Sequence, residues 1–177
     1  PGGAETVILA LEAVLGDEGT LMMPTQTSQL TDPKLWRYPP ADPRWWDLIR
    51  ESMPPYDPDF TITSGMGAIA ETFRKQRGVL RSTHPHVSFA AWGKHASAWT
   101  SNHALDYGLG KDSPLQHLYD AEGYVLMLGT EYVTNTSIHL AEYHAEWKGK
   151  KTIMMDAPVM TDKGKQWIRF QDLNFDS

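Results

Sequence analysis

The apolar positions of this chain come in short runs that change period several times. Val7, Ile8, Leu11, Val14 and Leu15 fall on one face of a 3.6-residue repeat, which predicts a helix over residues 5–15 with Gly16 at its C-terminal end. Thr20–Met23 is a short apolar run stopped by Pro24 and predicts a buried strand. The stretch from Thr25 to Asp59 is the least regular, with prolines at 33, 39, 40, 43, 54, 55 and 58; only 45–49 reads as a short helix. Gly65 and Gly67 lead into a predicted helix over 68–76, and residues 79–82 and 89–93 read as extended runs. A helical turn over 94–99 follows, and Ser113-Pro114 opens a helix that buries Leu115 and Leu118.

The central stretch is Gly123 to Lys148. Gly123–Leu128 is an apolar run suited to a buried strand. Thr134-Asn135-Thr136-Ser137 offers helix N-caps, and residues 138–148 read as a helix interrupted by His139, Glu142 and His144. Residues 152–155 and 166–170 read as strands, with a hairpin-type turn over 161–164. Alternation of helices and strands predicts an α/β fold in one domain over residues 1–177, without internal repeats.

Composition narrows the function classes. The 177 residues are 41% hydrophobic, 21% charged and 11% aromatic, an ordinary globular balance. A formal charge of −6 argues against nonspecific nucleic-acid binding. With no cysteine, disulfides, thiolate nucleophiles and thiolate metal sites are excluded, which fits a cytoplasmic setting. No apolar run is long enough to cross a membrane. The turn-forming Pro1-Gly2-Gly3 start and the unclosed end at Ser177 lead us to expect a piece of a longer protein.

His139 stands in the first turn of its expected helix, where the positive end of the helix favours the neutral imidazole that a general base requires. Glu142, three residues on, shares that face and can orient the ring. The competing reading is a histidine bonded to the turn before it. A metal site at His139, Glu142 and His144 is disfavoured, because histidines five apart splay to different faces, unlike the four-residue spacing of a helical zinc pair. His84 and His86 bracket Pro85 beside Arg81 and Ser82, so they fit either a phosphate-binding turn or a loop clamp. His95, His103 and His117 carry no pattern and read as surface or packing residues. The aromatic residues Trp36, Tyr38, Trp45, Trp46 and Tyr56 fit either anchors of the irregular excursion or a ligand wall. The glycine signatures of serine hydrolases, nucleotide hydrolases and dinucleotide enzymes are absent.

Taken in order, several runs resemble the aminoglycoside 3-N-acetyltransferase family, the CoA-dependent group distinct from GNAT enzymes. They are Pro1-Gly2-Gly3, Gly19–Thr25, Gly65–Gly67 with Glu71 and Phe73-Arg74, Val79–Pro85, Ser88–Gly93, Ser113–Leu115, Gly129 and Asn135–Glu142. The resemblance implies a layered α/β/α sandwich around a central mixed sheet. It implies acetyl transfer from acetyl-CoA to the 3-amino group of a deoxystreptamine aminoglycoside, or to another small-molecule amine, with His139 as general base; the alternative of another class is a non-catalytic CoA- or aminoglycoside-binding protein on the same scaffold. Glu142 or Asp176 would support that base. Met23, Pro24, Thr25, Arg81, Ser82 and His84 would lie along CoA, and Glu71, Asp57 and Asp172 along the cationic acceptor. No metal is implied, and the assembly would be a monomer or homodimer. The family's opening strand and serine-containing loop, and its closing elements, have no counterpart in these residues.

Overall fold

The computed structural model describes residues 2–175. Helix α1 (Gly3–Leu15) ends at Gly16, whose N–H bonds to the Glu12 carbonyl and whose φ is +61°, a conformation that favours glycine. β1 (Thr20–Pro24) follows, then α2 (Trp46–Ser52), α3 (Gly67–Phe73), β2 (Leu80–Arg81) and β3 (Phe89–Gly93). α4 (Ala96–Thr100), α5 (Pro114–Asp120), α6 (His139–His144), β4 (Thr152–Thr161) and β5 (Gly164–Leu173) complete the order. Single 3-10 turns at Ser28–Leu30, Pro33–Leu35 and Pro43–Trp45 punctuate the excursion, where Asp32 and Asp42 cap their turns by accepting from the backbone N–H two residues on.

β3 lies between β1 and β2, and both pairings are antiparallel, with Met22 opposite Ala91 and Arg81 opposite Ala90. Side chains of a strand alternate between the faces of its sheet, and here each face has its own core. On one face Ile8, Phe73 and Ala90 are buried, with Leu21, Met23, Ile69, Val79 and Trp92 against them; this is the side of α1 and α3. On the other face Phe89, Leu109, Leu115 and Leu140 are buried beneath Met22, Val87 and Tyr143, the side of α5 and α6. Helices on both faces of the sheet give the layered α/β/α arrangement. Burial of a ring such as Phe73 stabilises by roughly 2–3 kcal/mol.

β4 and β5 form a ten-residue antiparallel hairpin, longer than the runs the pattern marked, with Thr152 opposite Leu173. One parallel bridge, Tyr56 with Val159, attaches the excursion to it. Leu30, Met53 and Tyr56 are buried there with Trp36, Ile49 and Trp167 packed against them. Trp36 and Tyr56 therefore anchor the excursion, whereas Tyr38 and Trp45 are exposed. Lys165 Nζ donates to the carbonyls of Arg50, Glu51 and Met53 and so closes the C-terminal end of α2.

Two expectations need correction. Gly123–Leu128 is not a strand: Tyr124, Val125, Leu126 and Leu128 are exposed, and none of the run joins a sheet. An apolar run asks for burial but cannot supply the neighbouring strand that its N–H and C=O groups require. The helix expected over 138–148 is shorter, spanning His139–His144. A 3-10 turn (Thr136–Ile138) precedes it, and Ala145 turns extended (ψ 147°), where Lys150 Nζ donates to the carbonyls of Tyr143 and Ala145.

Candidate active site

Asn135 prepares the start of α6: its Oδ1 accepts from the Ser137 N–H at 3.0 Å, holding the polar turn in place. His139 is the first residue of the helix, and its Nδ1 lies 2.5 Å from Oε2 of Glu142. Both side chains are partly open, at 38% and 40% exposure, so the pair is accessible from outside. Nδ1–H donating to the carboxylate fixes one tautomer and leaves Nε2 as the basic nitrogen. Nε2 has no hydrogen-bond partner among the described residues. Phe175 packs against the imidazole with ring centroids 4.5 Å apart. Beside the pair, Ile138, Ala141, Glu142, Ala145, Trp147, Asn174 and Phe175 line an open, largely apolar cleft. An imidazole oriented by a carboxylate at the edge of a cleft can take a proton from an incoming nucleophile and later return it to a leaving group.

The other expected site residues are brought to different places. Thr25, Arg81 and Ser82 converge at the end of the small sheet, but their polar atoms bond within the protein. All three guanidinium nitrogens of Arg81 are engaged: Nε with Thr25 Oγ1 and Ser88 Oγ, Nη1 with the Pro58 and Thr61 carbonyls, Nη2 with the Thr25 carbonyl. Burial holds its pKa below the usual arginine value. Met23 and Pro24 are half-buried in β1. Ser82 is fully buried, and Tyr56 donates to its carbonyl at 2.7 Å.

His84 is a loop clamp. Its Nδ1 accepts from the N–H groups of His86 and Val87, so Nε2 carries the proton and donates to the Leu105 carbonyl at 3.1 Å. His86 and His103 are buried nearby, and Phe170 packs on His84 and His86. Burial lowers all three imidazole pKa values: His84 well below the ordinary range, with charge repulsion from its neighbours adding to it, and His86 and His103 to about 4.

Each of the expected acceptor-side carboxylates accepts hydrogen bonds within the protein, and Glu71 and Asp57 both lie within electrostatic range of Arg81. Glu71 accepts from Thr63, Arg74 and Lys75; burial would raise its pKa, but these donors outweigh burial and hold it well below the carboxylate range. Asp57 accepts from the N–H groups of Asp59 and Phe60 in its own turn. Asp172 is buried on β5, accepting from the Tyr143 hydroxyl and the Leu173 N–H. Asp176 lies outside the described residues. Tyr143 was not singled out from the sequence, although its position four residues after His139 puts it on the same helical face. His103, read as surface or packing, proves to be a core residue. Among the described residues no group of histidines and carboxylates could hold a metal ion, and no helix is long and apolar enough to cross a membrane.

Helices pack on both faces of the sheet, and a histidine bonded to a carboxylate stands at the start of α6. The family model for aminoglycoside 3-N-acetyltransferase matches residues 1–177, and the chain belongs to that family. It is 46% identical over 175 residues to the SPbeta prophage-derived aminoglycoside N(3')-acetyltransferase-like protein YokD of Bacillus subtilis, covering 98% of this chain and 64% of the relative. It is 37% identical over 174 residues to aminoglycoside N(3)-acetyltransferase VII of Streptomyces paromomycinus, covering 98% of this chain and 59% of the relative. The crystal structure of YokD superposes with a TM-score of 0.94 over 99% of this chain and 64% of that one. AAC-IIIb in binary complex with CoASH, 34% identical, superposes with a TM-score of 0.85 over 98% of this chain and 63% of that one. The chain thus spans less than two thirds of the length of these relatives.

Proposed function

We propose that this chain carries the general base of a CoA-dependent N-acetyltransferase that acetylates the 3-amino group of an aminoglycoside. The observation that carries the reading is the 2.5 Å contact between His139 Nδ1 and Glu142 Oε2 at the open start of α6. CoASH binding by the relative AAC-IIIb and the aminoglycoside activity named for the Streptomyces relative supply the donor and acceptor classes.

In this reading an acceptor amine, deprotonated at the moment of attack, forms its C–N bond at the thioester carbonyl carbon while Nε2 of His139 takes the surplus proton. Glu142 stabilises the imidazolium so formed. Collapse of the tetrahedral intermediate breaks the C–S bond, and His139 returns the proton to the departing thiolate. Amide and free thiol leave in balance.

Release of CoA thiol, followed with a panel of aminoglycosides, tests this in the protein carrying the chain. Turnover should fall about 10²–10⁴-fold in His139→Ala while acetyl-CoA still binds. Equal turnover in parent and variant sinks the assignment. Other amines belong in the panel for a specific reason: Glu71, Asp57 and Asp172 already accept hydrogen bonds within the protein.

A further inference from the structure

α6 is six residues long and has no side-chain N-cap, so it cannot hold its own position. Whatever grips it from outside sets where His139 points. Leu140 enters the core beneath β3. Tyr143 lies one turn beyond His139 on the same face, and its ring meets Tyr107 edge-on at 6.3 Å. It also lies so close to Gly110 that a Cβ there would stand 2.9 Å from Tyr143 Cδ1. The Tyr143 hydroxyl donates to Oδ1 of Asp172 on β5, and the Leu173 N–H donates to the same oxygen at 2.9 Å. The Phe175 ring lies against two rings of α6, with centroids 4.5 Å from His139 and 6.0 Å from Tyr143.

We propose that Tyr143 and Asp172 are positioning residues for His139: their hydrogen bond locks α6 to β5, and the lock keeps Nδ1 on Glu142 and Nε2 outward. The inference deepens the proposed function and rests on the same His139–Glu142 pair. His139, Glu142 and Tyr143 share a six-residue helix too short to hold its turns unaided, so loss of the Tyr143–Asp172 bond loosens the turn that keeps His139 Nδ1 on Glu142. Burial raises the carboxyl pKa of Asp172 and Asp106 adds to the rise, while the Tyr143 and Leu173 donors and His139 oppose it.

The tautomer of His139 tests the proposal without needing turnover. Long-range proton–nitrogen NMR correlations from the ring carbon-bound hydrogens, at about pH 8 and above the ordinary imidazole range, report which nitrogen is protonated. The parent should show the Nδ1–H form at His139. Tyr143→Phe and Asp172→Ala should lose that preference, and Asp172→Asn, which keeps an acceptor for the hydroxyl, should retain it. His84 and His103, held as Nε2–H by the Leu105 and Gly108 carbonyls, report the fold in every variant. An unchanged His139 tautomer in Tyr143→Phe overturns the proposal. So does a loss accompanied by loss of the His84 and His103 signatures, since the effect would then be general unfolding. A parent without the Nδ1–H form overturns both this proposal and the catalytic pair. Absence of acetyl transfer with the expected tautomer pattern sinks only the proposed function.

Discussion

Ser82 donates its hydroxyl hydrogen to Nδ1 of His103 at 2.8 Å, while His103 Nε2 donates to the Gly108 carbonyl at 2.6 Å. The directions follow from valence: Nε2 faces a carbonyl and must carry the proton, so Nδ1 accepts. The pair has the form of a nucleophile and its base, yet Ser82 is fully buried and His103 is 7% exposed. Its work is structural. It joins the end of β2 to the loop before α5, and Phe89 N–H completes the set by donating to Ser82 Oγ.

That burial makes the protein acid-sensitive. Burial holds His86 and His103 at about 4 in the folded protein and His84 well below the ordinary imidazole range, whereas an unfolded imidazole titrates near 6.5. Between those values the unfolded chain binds more protons, so stability is full above about pH 6.5 and falls as pH drops. The limiting slope is about 1.4 kcal/mol per pH unit for each histidine. Urea midpoints should fall steadily from pH 7 to pH 4.5. A flat profile would mean that the three rings are not buried neutral.

Gly108 is required by close approach. A Cβ there would lie 2.5 Å from His84 Nε2 and 2.6 Å from Val87 Cγ2, and the His84 ring is held in place by hydrogen bonds at both nitrogens. Gly108→Ala should destabilise by about 1–3 kcal/mol. Thermal unfolding of variant and parent measures it, and an unchanged midpoint would count against the tight contact.

Arg81 fastens the 57–61 turn to the end of β1, and its guanidinium carbon lies 5.3 Å from the Tyr56 ring centre. Lysine keeps the charge but cannot reproduce the fork of donors. Arg81→Lys should cost on the order of 3 kcal/mol, through carbonyls left without a partner. If Arg81 instead served chiefly to bind CoA phosphates, acetyl-CoA affinity would fall while the denaturation midpoint held. The two measurements together separate those roles.

Glu142→Gln keeps an oxygen that can accept from His139 Nδ1–H but removes the charge that stabilises the imidazolium. If the proposed reaction is right, kcat should fall on the order of 10²-fold with little change in KM for acetyl-CoA. A KM effect alone would move Glu142 from assisting the base to binding the cosubstrate.

Much of the fold was legible because it is local. The α1 helix, the Gly16 stop, β1 ending at Pro24 and the β4–β5 turn all follow from periodicity and backbone preference, and all are present; of the α1 stripe, however, only Ile8 is buried, and Val14 and Leu15 are exposed. The shared face of His139 and Glu142 was legible as well, because residues three apart on a helix are neighbours on its surface. Gly123–Leu128 misled because its apolar character says nothing about whether a strand stands beside it.

By itself, then, the sequence determined most of the elements outside Gly123–Leu128, the absence of thiol chemistry and the shared helical face of His139 and Glu142, all properties of neighbouring residues. Only the tertiary structure decided that Arg81, Ser82 and His84 spend their polar atoms inside the protein, that His103 belongs to the core, and that Tyr143 reaches Asp172. Those partners lie 21 to 56 residues apart in sequence. A hydrogen bond over such a separation depends on where two surfaces meet after the layers pack, and no local period encodes it.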